Sequence, residues 1–211
     1  MKIIGIDEVG YGAWAGPLLN SAVYIDIPNF ESRDLSEIIE KSNDYINSVV
    51  GEENFKWIKD SKKLSIPKRE SMYNFLTKNF LFSIGISYPE EIDKLNVRNA
   101  NFVAMERAVQ DLHKAYDLII IDGNAKPTFS AKISTIIDGD EFSKLISIAS
   151  IIAKVTRDNL MQQLHNEFPN YGWNKNVGYG TKLHSDAIKT FGITKYHRKS
   201  YKPIRKILGE D

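Results

Sequence analysis

Two adjacent carboxylates, Asp7 and Glu8, stand at the end of the apolar run Lys2-Ile3-Ile4-Gly5-Ile6 and are followed by Gly10-Tyr11-Gly12. A buried strand does not accept paired charges in its interior, so the apolar run must finish near this point. A second run, Ser21-Ala22-Val23-Tyr24-Ile25, follows the Gly-rich turn, and the first 26 residues read as a strand, a turn and a strand: a hairpin. Successive side chains of a strand point to opposite faces. Asp7 and Glu8 can therefore share a site only if the strand ends there and the chain bends, which Gly10 and Gly12 permit.

Further along, residues 27–58 are polar and irregularly periodic and predict one or two short surface helices. Ser65 and Pro67 open a helix that runs to Phe80, Leu81 to Tyr88 reads as a third strand, and Pro89-Glu90-Glu91 begins helical structure. From Val97 to Leu112 the spacing of Ala104, Met105, Ala108, Val109 and Leu112 puts one apolar face on a helix. Asp117 to Ile121 and Lys132 to Ile137 are strands, and a long helix runs from about Ser143 to Phe168. Strands clustered early and then alternating with helices predict an α/β fold with a sheet of mixed direction. With no internal repeat and no long linker, residues 1–211 are expected to form a single domain with a helical carboxy-terminal segment.

Composition narrows the chemistry. Cysteine is absent, so disulfides, thiolate metal sites and cysteine nucleophiles are excluded and any metal must be held by carboxylate or imidazole. No apolar run approaches the roughly 18 residues of a membrane span, and Asp7 and Glu8 interrupt the amino-terminal candidate for a secretory signal. A cytoplasmic protein without membrane contact is expected. The net charge of +1 conceals an asymmetry: residues 171–211 hold nine Lys/Arg against three Asp/Glu, leaving 19 against 24 in the remainder. A basic tail interleaved with Tyr179, Tyr196, His197 and Tyr201 suits a polyanion with stacking surfaces, or it is simply a solvated helical face.

Three acidic positions invite a common explanation. Asp122 leaves the carboxyl end of Leu118-Ile119-Ile120-Ile121, where α/β proteins build their sites, although Asp-Gly is also ordinary turn chemistry. Asp140 precedes the long helix, where it could serve only as a cap. Together with Asp7 and Glu8 these acids would form an oxygen-rich pocket suited to Mg²⁺ or Mn²⁺. Two such ions can activate a water and stabilise the leaving oxygen in a phosphodiester displacement that needs no nucleophilic side chain.

The segment from Gly5 to Pro17, GIDEVGYGAWAGP, resembles the opening motif of type 2 ribonuclease H, ribonuclease HII, and the resemblance continues in order through nearly the whole chain. Asp60-Ser61-Lys62-Lys63-Leu64, Asn101 to Ala108, Ile121-Asp122-Gly123-Asn124, Gly139-Asp140 with Ala149 to Asp158, Gly178-Tyr179-Gly180-Thr181 with His184, and His197 to Tyr201 match its later motifs. The resemblance implies a ribonuclease H-like fold, a mixed five-stranded sheet flanked by helices. It also implies a metal-dependent endonuclease, with two ions bound alongside substrate, that cuts the RNA strand of RNA–DNA hybrids. Nicking of duplex DNA 5′ of an embedded ribonucleotide, leaving 3′-hydroxyl and 5′-phosphate ends, is implied as well.

Carried over by position, Asp7, Glu8 and Asp122 would be metal ligands and Asp140 the fourth carboxylate. Gly10, Tyr11 and Gly12 would form the turn that approaches the 2′-hydroxyl. Tyr179 would meet the junction of ribose and deoxyribose, and Lys62, Lys63, His184, Arg198 and Lys199 would contact the backbone. Asp158 reads as an ion-pair residue on its helix.

Two departures stand out: Tyr11 replaces the family arginine, and the stretch from Pro28 to Trp57 is longer than usual for the family. Type 3 relatives also lack the arginine but carry an additional amino-terminal substrate-binding domain, so type 2 is the better match. A catalytically idle nucleic-acid binder and a small-molecule phosphatase are the competing classes. The first is disfavoured by the presence of all four acids, the second by the basic aromatic tail. A monomer is expected.

Overall fold

Five strands form one mixed sheet in the order β3-β2-β1-β4-β5 in a computed structural model that describes residues 1–59, 61–129 and 132–210. Asp60 of the second motif lies outside the described residues. The strands are β1 (Lys2–Val9), β2 (Leu18–Asp26), β3 (Leu81–Ser87), β4 (Leu118–Asp122) and β5 (Lys132–Ile136). β1 pairs antiparallel with β2 from Lys2↔Asp26 to Val9↔Leu19, and β2 pairs antiparallel with β3. On its other side β1 pairs in parallel with β4, from Ile3↔Leu118 to Ile6↔Ile121, and β4 pairs in parallel with β5.

The helices are α1 (Leu35–Val50), α2 (Glu52–Phe55), α3 (Ile66–Asn79), α4 (Pro89–Leu95), α5 (Val97–Asp111), α6 (Gly139–Phe142), α7 (Lys144–Glu167), α8 (Trp173–Asn176), α9 (Lys182–Phe191) and α10 (Lys202–Leu208). None among the described residues is long and apolar enough to cross a membrane.

Strand alternation sorts the core into two layers. Ile3, Leu118 and Ile120 join the cluster under α1, α3 and α7, whereas Ile4, Ile6, Ile119 and Ile121 join the cluster under α5. Two glycines set the spacing of these layers: a Cβ on Gly5 would meet Leu145 Cγ at 2.6 Å, and one on Gly85 would meet the Ala104 carbonyl at 1.8 Å. Small residues on α7 do the same from the helix side, since Ser147, Ala149, Ser150 and Ala153 are all buried.

The long stretch before Asp60 is not merely a surface addition. α1 is capped by Asp34, whose side chain accepts from the Ser36 and Glu37 N–H groups, and it buries Ile38, Ser42, Ile46 and Val50. That four-residue spacing is one helical face, diluted in the sequence by the polar residues between. The carboxy-terminal helices gather a smaller core of Trp173, Tyr171, Ile188 and Ile204 with Met161 and Ala15.

Candidate active site

Adjacent residues on β1 face opposite layers, and Asp7 and Glu8 keep to this rule. The turn expected at Gly10–Gly12 is present, but it follows both acids and does not separate them: β1 stays paired with β2 as far as Val9. Asp7 lies on the α7 side with Ser150, and Glu8 reaches towards Asn101 and Met105 of α5. Both meet Asp122, because the β1–β4 pairing ends at Ile6↔Ile121 and the next position of β4 is that carboxylate. Asp7, Glu8, Asp122 and Asp140 thereby line one cleft of about 410 Å³, together with Ser61, Lys62, Ser150, Lys154 and Tyr179.

Local structure fixes the acids. The Glu8 backbone N–H donates to Asp7 Oδ1 at 2.7 Å, and the Gly139 N–H donates to Asp122 Oδ1 at 2.7 Å. Gly139 is tight against that oxygen, since a Cβ there would meet Asp122 Oδ1 at 3.2 Å and Ile146 Cδ1 at 2.7 Å. Asp140 sits in the first turn of α6, and its carbonyl accepts from Ser147 Oγ at 2.6 Å.

The electrostatics record crowding of like charge. Burial, then Glu8 and Asp122, push the Asp7 carboxyl well above the usual range. Burial and Asp122 push Glu8 up to about 7, against the pull of Lys62, and burial raises Asp122 despite the hydrogen bond from Gly139. Among the described residues no three acidic or imidazole side chains are closed into an ion cage. The four acids share one open cleft. An all-oxygen donor set whose charge is already costly fits a hard divalent cation, which would relieve both burial and repulsion.

The Gly10-Tyr11-Gly12 turn borders this cleft. Gly10 has φ +87°, and a Cβ there would strike Arg157 Nε at 2.2 Å, whereas Gly12 has open space around it. The Tyr11 ring is exposed, and its carbonyl accepts from Arg198 Nη1 at 2.9 Å and from the Tyr201 hydroxyl at 2.5 Å. Arg198 also donates to the Gly16 carbonyl at 3.1 and 3.0 Å and is fully buried. This corrects the expected backbone contact: a guanidinium spent on two loop carbonyls and buried with them holds the turn and does not meet solvent phosphate. Lys199 keeps an exposed side chain, while its backbone N–H and that of Ser200 are tied to Asp93 at 2.9 Å each.

His184 is the second correction. It is fully buried, and its partners define its tautomer. Nδ1–H donates to the Tyr179 carbonyl at 3.0 Å, leaving Nε2 to accept from Trp173 Nε1 at 3.1 Å and from His197 Nε2–H at 3.1 Å. His197 Nδ1 in turn accepts from the Thr194 N–H at 2.9 Å. Burial lowers both imidazole pKa values, that of His197 to about 3. The pair is neutral and positions Tyr179, whose ring is 38% exposed and lies 5.7 Å from the Arg157 guanidinium. Gly178 and Gly180 let the loop lie against the Ala15 segment, as Cβ atoms there would meet the Ala15 carbonyl at 2.2 Å and the Trp14 indole at 2.1 Å.

Lys62 faces the cleft, whereas Lys63 forms an ion pair with Glu141. Asp158 is held by Lys154 at 2.8 Å, as its helical spacing suggests, and by Arg69 of α3 at 3.7 Å. Sequence reasoning missed Lys154 and Ser150 as cleft residues. Their four-residue spacing on α7 was the available signal. It also missed Arg157, fully buried and donating to the carbonyls of Pro17, Val177 and Ala15 at 2.9, 2.8 and 3.2 Å.

Residues 54–204 match the family model described as Ribonuclease HII. A ribonuclease HII from Ehrlichia chaffeensis is 41% identical over 201 residues, 95% of this chain and 86% of its own length. One from Pelagibacter ubique is 42% identical over 210 residues, 99% of this chain and 100% of its own. Among solved structures, ribonuclease H2 from Pyrococcus horikoshii OT3 is similar with a TM-score of 0.75 at 24% identity, covering 98% of this chain and 97% of that one. Bst-RNase HIII in complex with Mn²⁺ is similar with a TM-score of 0.69 at 17% identity, covering 99% and 70%. At these identities the two structural likenesses bear on the fold alone.

Proposed function

The chain belongs to the ribonuclease HII family, hydrolases of the ribonuclease H type that act on RNA–DNA hybrids, and we propose that it also nicks duplex DNA on the 5′ side of a single embedded ribonucleotide, leaving 3′-hydroxyl and 5′-phosphate ends. The observation that carries this reading is the single cleft in which four carboxylates at strand and helix ends face Lys62, Lys154 and the exposed ring of Tyr179.

Asp7, Glu8, Asp122 and Asp140 would hold two divalent ions, Mg²⁺ or Mn²⁺. When bound, such ions supply water activation and neutralise charge on the leaving oxygen. The protein's own contribution is positional. The N–H groups of Glu8 and Gly139 aim the Asp7 and Asp122 oxygens, and Lys62 adds positive charge at the cleft wall for the phosphate. Tyr179, fixed from behind by His184, offers a flat apolar face to a sugar, where the presence of a 2′-hydroxyl decides the fit. The turn at Gly10 brings backbone to the same side of the cleft. Residues 171–211 would extend the contact as a basic segment of one domain acting as a monomer, with Lys199, Lys202, Arg205 and Lys206 all exposed.

The test is incision of a labelled DNA duplex holding one ribonucleotide, beside an all-RNA/DNA hybrid, with Mg²⁺ and Mn²⁺ in turn and with the product ends mapped. Metal-dependent cutting on the 5′ side is expected, lost in Asp7→Asn and Asp122→Asn proteins that stay folded. Cutting confined to the hybrid, or an Asp122→Asn protein of undiminished activity, would sink the assignment.

A further inference from the structure

Beyond Tyr11 the acid cleft does not close. A pocket lined by Glu8, Asp122, Met105, Asn101 and Asn124 shares Tyr11, Asn101, Asn124 and Ala125 with a second pocket of about 460 Å³ that ends on Arg98 and Phe102. The two form one groove along α5, running from the carboxylates to the first turns of the helix.

The polar residues of this groove are prearranged. Asn101 is only 5% exposed, and its side-chain oxygen accepts from Nδ2 of the fully buried Asn20 at 2.7 Å. With that oxygen engaged, the group Asn101 can offer the groove is its N–H₂, a donor. Arg98 is exposed and lies one helical turn before Phe102, with Cζ 5.7 Å from the ring centroid. No carboxylate pairs with Arg98 among the described residues. A guanidinium laid against a ring is partly ordered before it meets a ligand, and its fork suits a phosphate. A donor and a cation at one end, carboxylates at the other, and the exposed ring of Tyr11 between them match a strand of nucleic acid whose cut phosphate lies in the acid cleft.

We propose that this groove along α5 holds the sugar-phosphate backbone flanking the cut, with Arg98 as the phosphate anchor and Asn101 as a donor to the same strand path. The proposal rests on the nuclease reading and names the subsite through which it grips substrate. The seven residues from Met105 to Arg98 span about 10 Å of helix axis, close to the distance from one phosphate to the second along the same strand. Arg98 therefore meets a phosphate about two nucleotides from the scissile bond.

The experiment compares the unmutated protein with Arg98→Ala, Arg98→Lys and, as a control at the far end of the sheet, Arg33→Ala. It measures affinity for a labelled hybrid by fluorescence anisotropy in EDTA across a salt series, and kcat and KM with metal. Arg98→Ala is expected to lower the salt slope by about one and to raise KM about tenfold with kcat unchanged. Arg98→Lys should recover the slope, and Arg33→Ala should match the unmutated protein. Two further duplexes, each shortened to two base pairs on one side of the cut, locate the contact. The Arg98→Ala defect is expected to vanish on one of them and persist on the other. An Arg98→Ala protein with unchanged slope and KM, or a defect equal on both shortened duplexes, overturns the groove. Binding in EDTA is read without cleavage, so a protein that binds the hybrid and cuts nothing counts against the proposed function alone.

Discussion

Glu8→Gln should make the metal-free protein more stable, by an amount that depends on pH in a calculable way. In the folded chain Glu8 titrates at about 7, against 4.5 for an ordinary glutamate. Between these values the folded protein holds a proton that the unfolded chain has released, so stability falls as pH rises through this window and the full penalty is present above pH 7. The gap corresponds to about 3 kcal/mol, reduced to about 2–3 kcal/mol because Glu8 is only partly buried. Glutamine keeps the shape and removes the charge. Urea unfolding in EDTA at pH 5, 6, 7 and 8, followed by tryptophan fluorescence, measures the difference. At pH 5 the two proteins should agree within about 1 kcal/mol, and at pH 8 the variant should lead by about 2–3 kcal/mol. Added Mg²⁺ should raise the unmutated protein more than the variant. Equal stabilities at pH 8, or a gap already complete at pH 5, would refute the account of the cleft as a site of stored repulsion.

Tyr11→Arg restores the family's charge at an exposed position of the turn, so kcat/KM should rise more on a single-ribonucleotide duplex than on an all-RNA/DNA hybrid; an unchanged ratio between the substrates would show that this side chain does not set the preference. His197 titrates at about 3 in the folded state and near 6.5 unfolded, so the stability it contributes is complete above pH 6.5 and drains away as pH falls towards 3. The stability difference between the unmutated protein and His197→Gln should accordingly shrink by about 3 kcal/mol between pH 7 and pH 4.5, and a constant difference in urea melts would contradict it. Replacing Lys199, Lys202, Arg205 and Lys206 together by Gln should flatten the salt dependence of hybrid binding with folding preserved, since all four are exposed. A slope equal to that of the unmutated protein would identify the tail as solvated surface only.

The carboxylates were legible because each stands where an apolar strand stops or a helix starts, a local signal. Their convergence was less so. It depends on β1 and β4 being parallel neighbours whose pairing ends one residue short of Asp7 and Asp122, and no local pattern states which strands adjoin. α1 was underread because its buried face is one residue in four and includes Ser42, so polar composition masked the period. His184 and Arg198 were misplaced for a different reason. A sequence shows that a side chain can be charged or can donate, but burial decides whether its partner is a phosphate or a loop carbonyl. Here both are fully enclosed, and their partners come from distant segments.

The turn bearing Tyr11 is fastened from the opposite end of the chain: Arg198 grips the Gly16 carbonyl across 182 residues, the Trp14 N–H donates to Gly178, and Ala15 bridges to His197. Closure over such separations brings little reward until most of the chain is in place, and contacts of this kind slow folding. During synthesis β1 and its acids emerge before the segments from Val177 to Tyr201 that shape Tyr11 and Tyr179. A nascent chain would thus carry the carboxylates of β1 before the parts that shape Tyr11 and Tyr179. If those rings read the sugar as proposed, that reading waits on the carboxy-terminal helices.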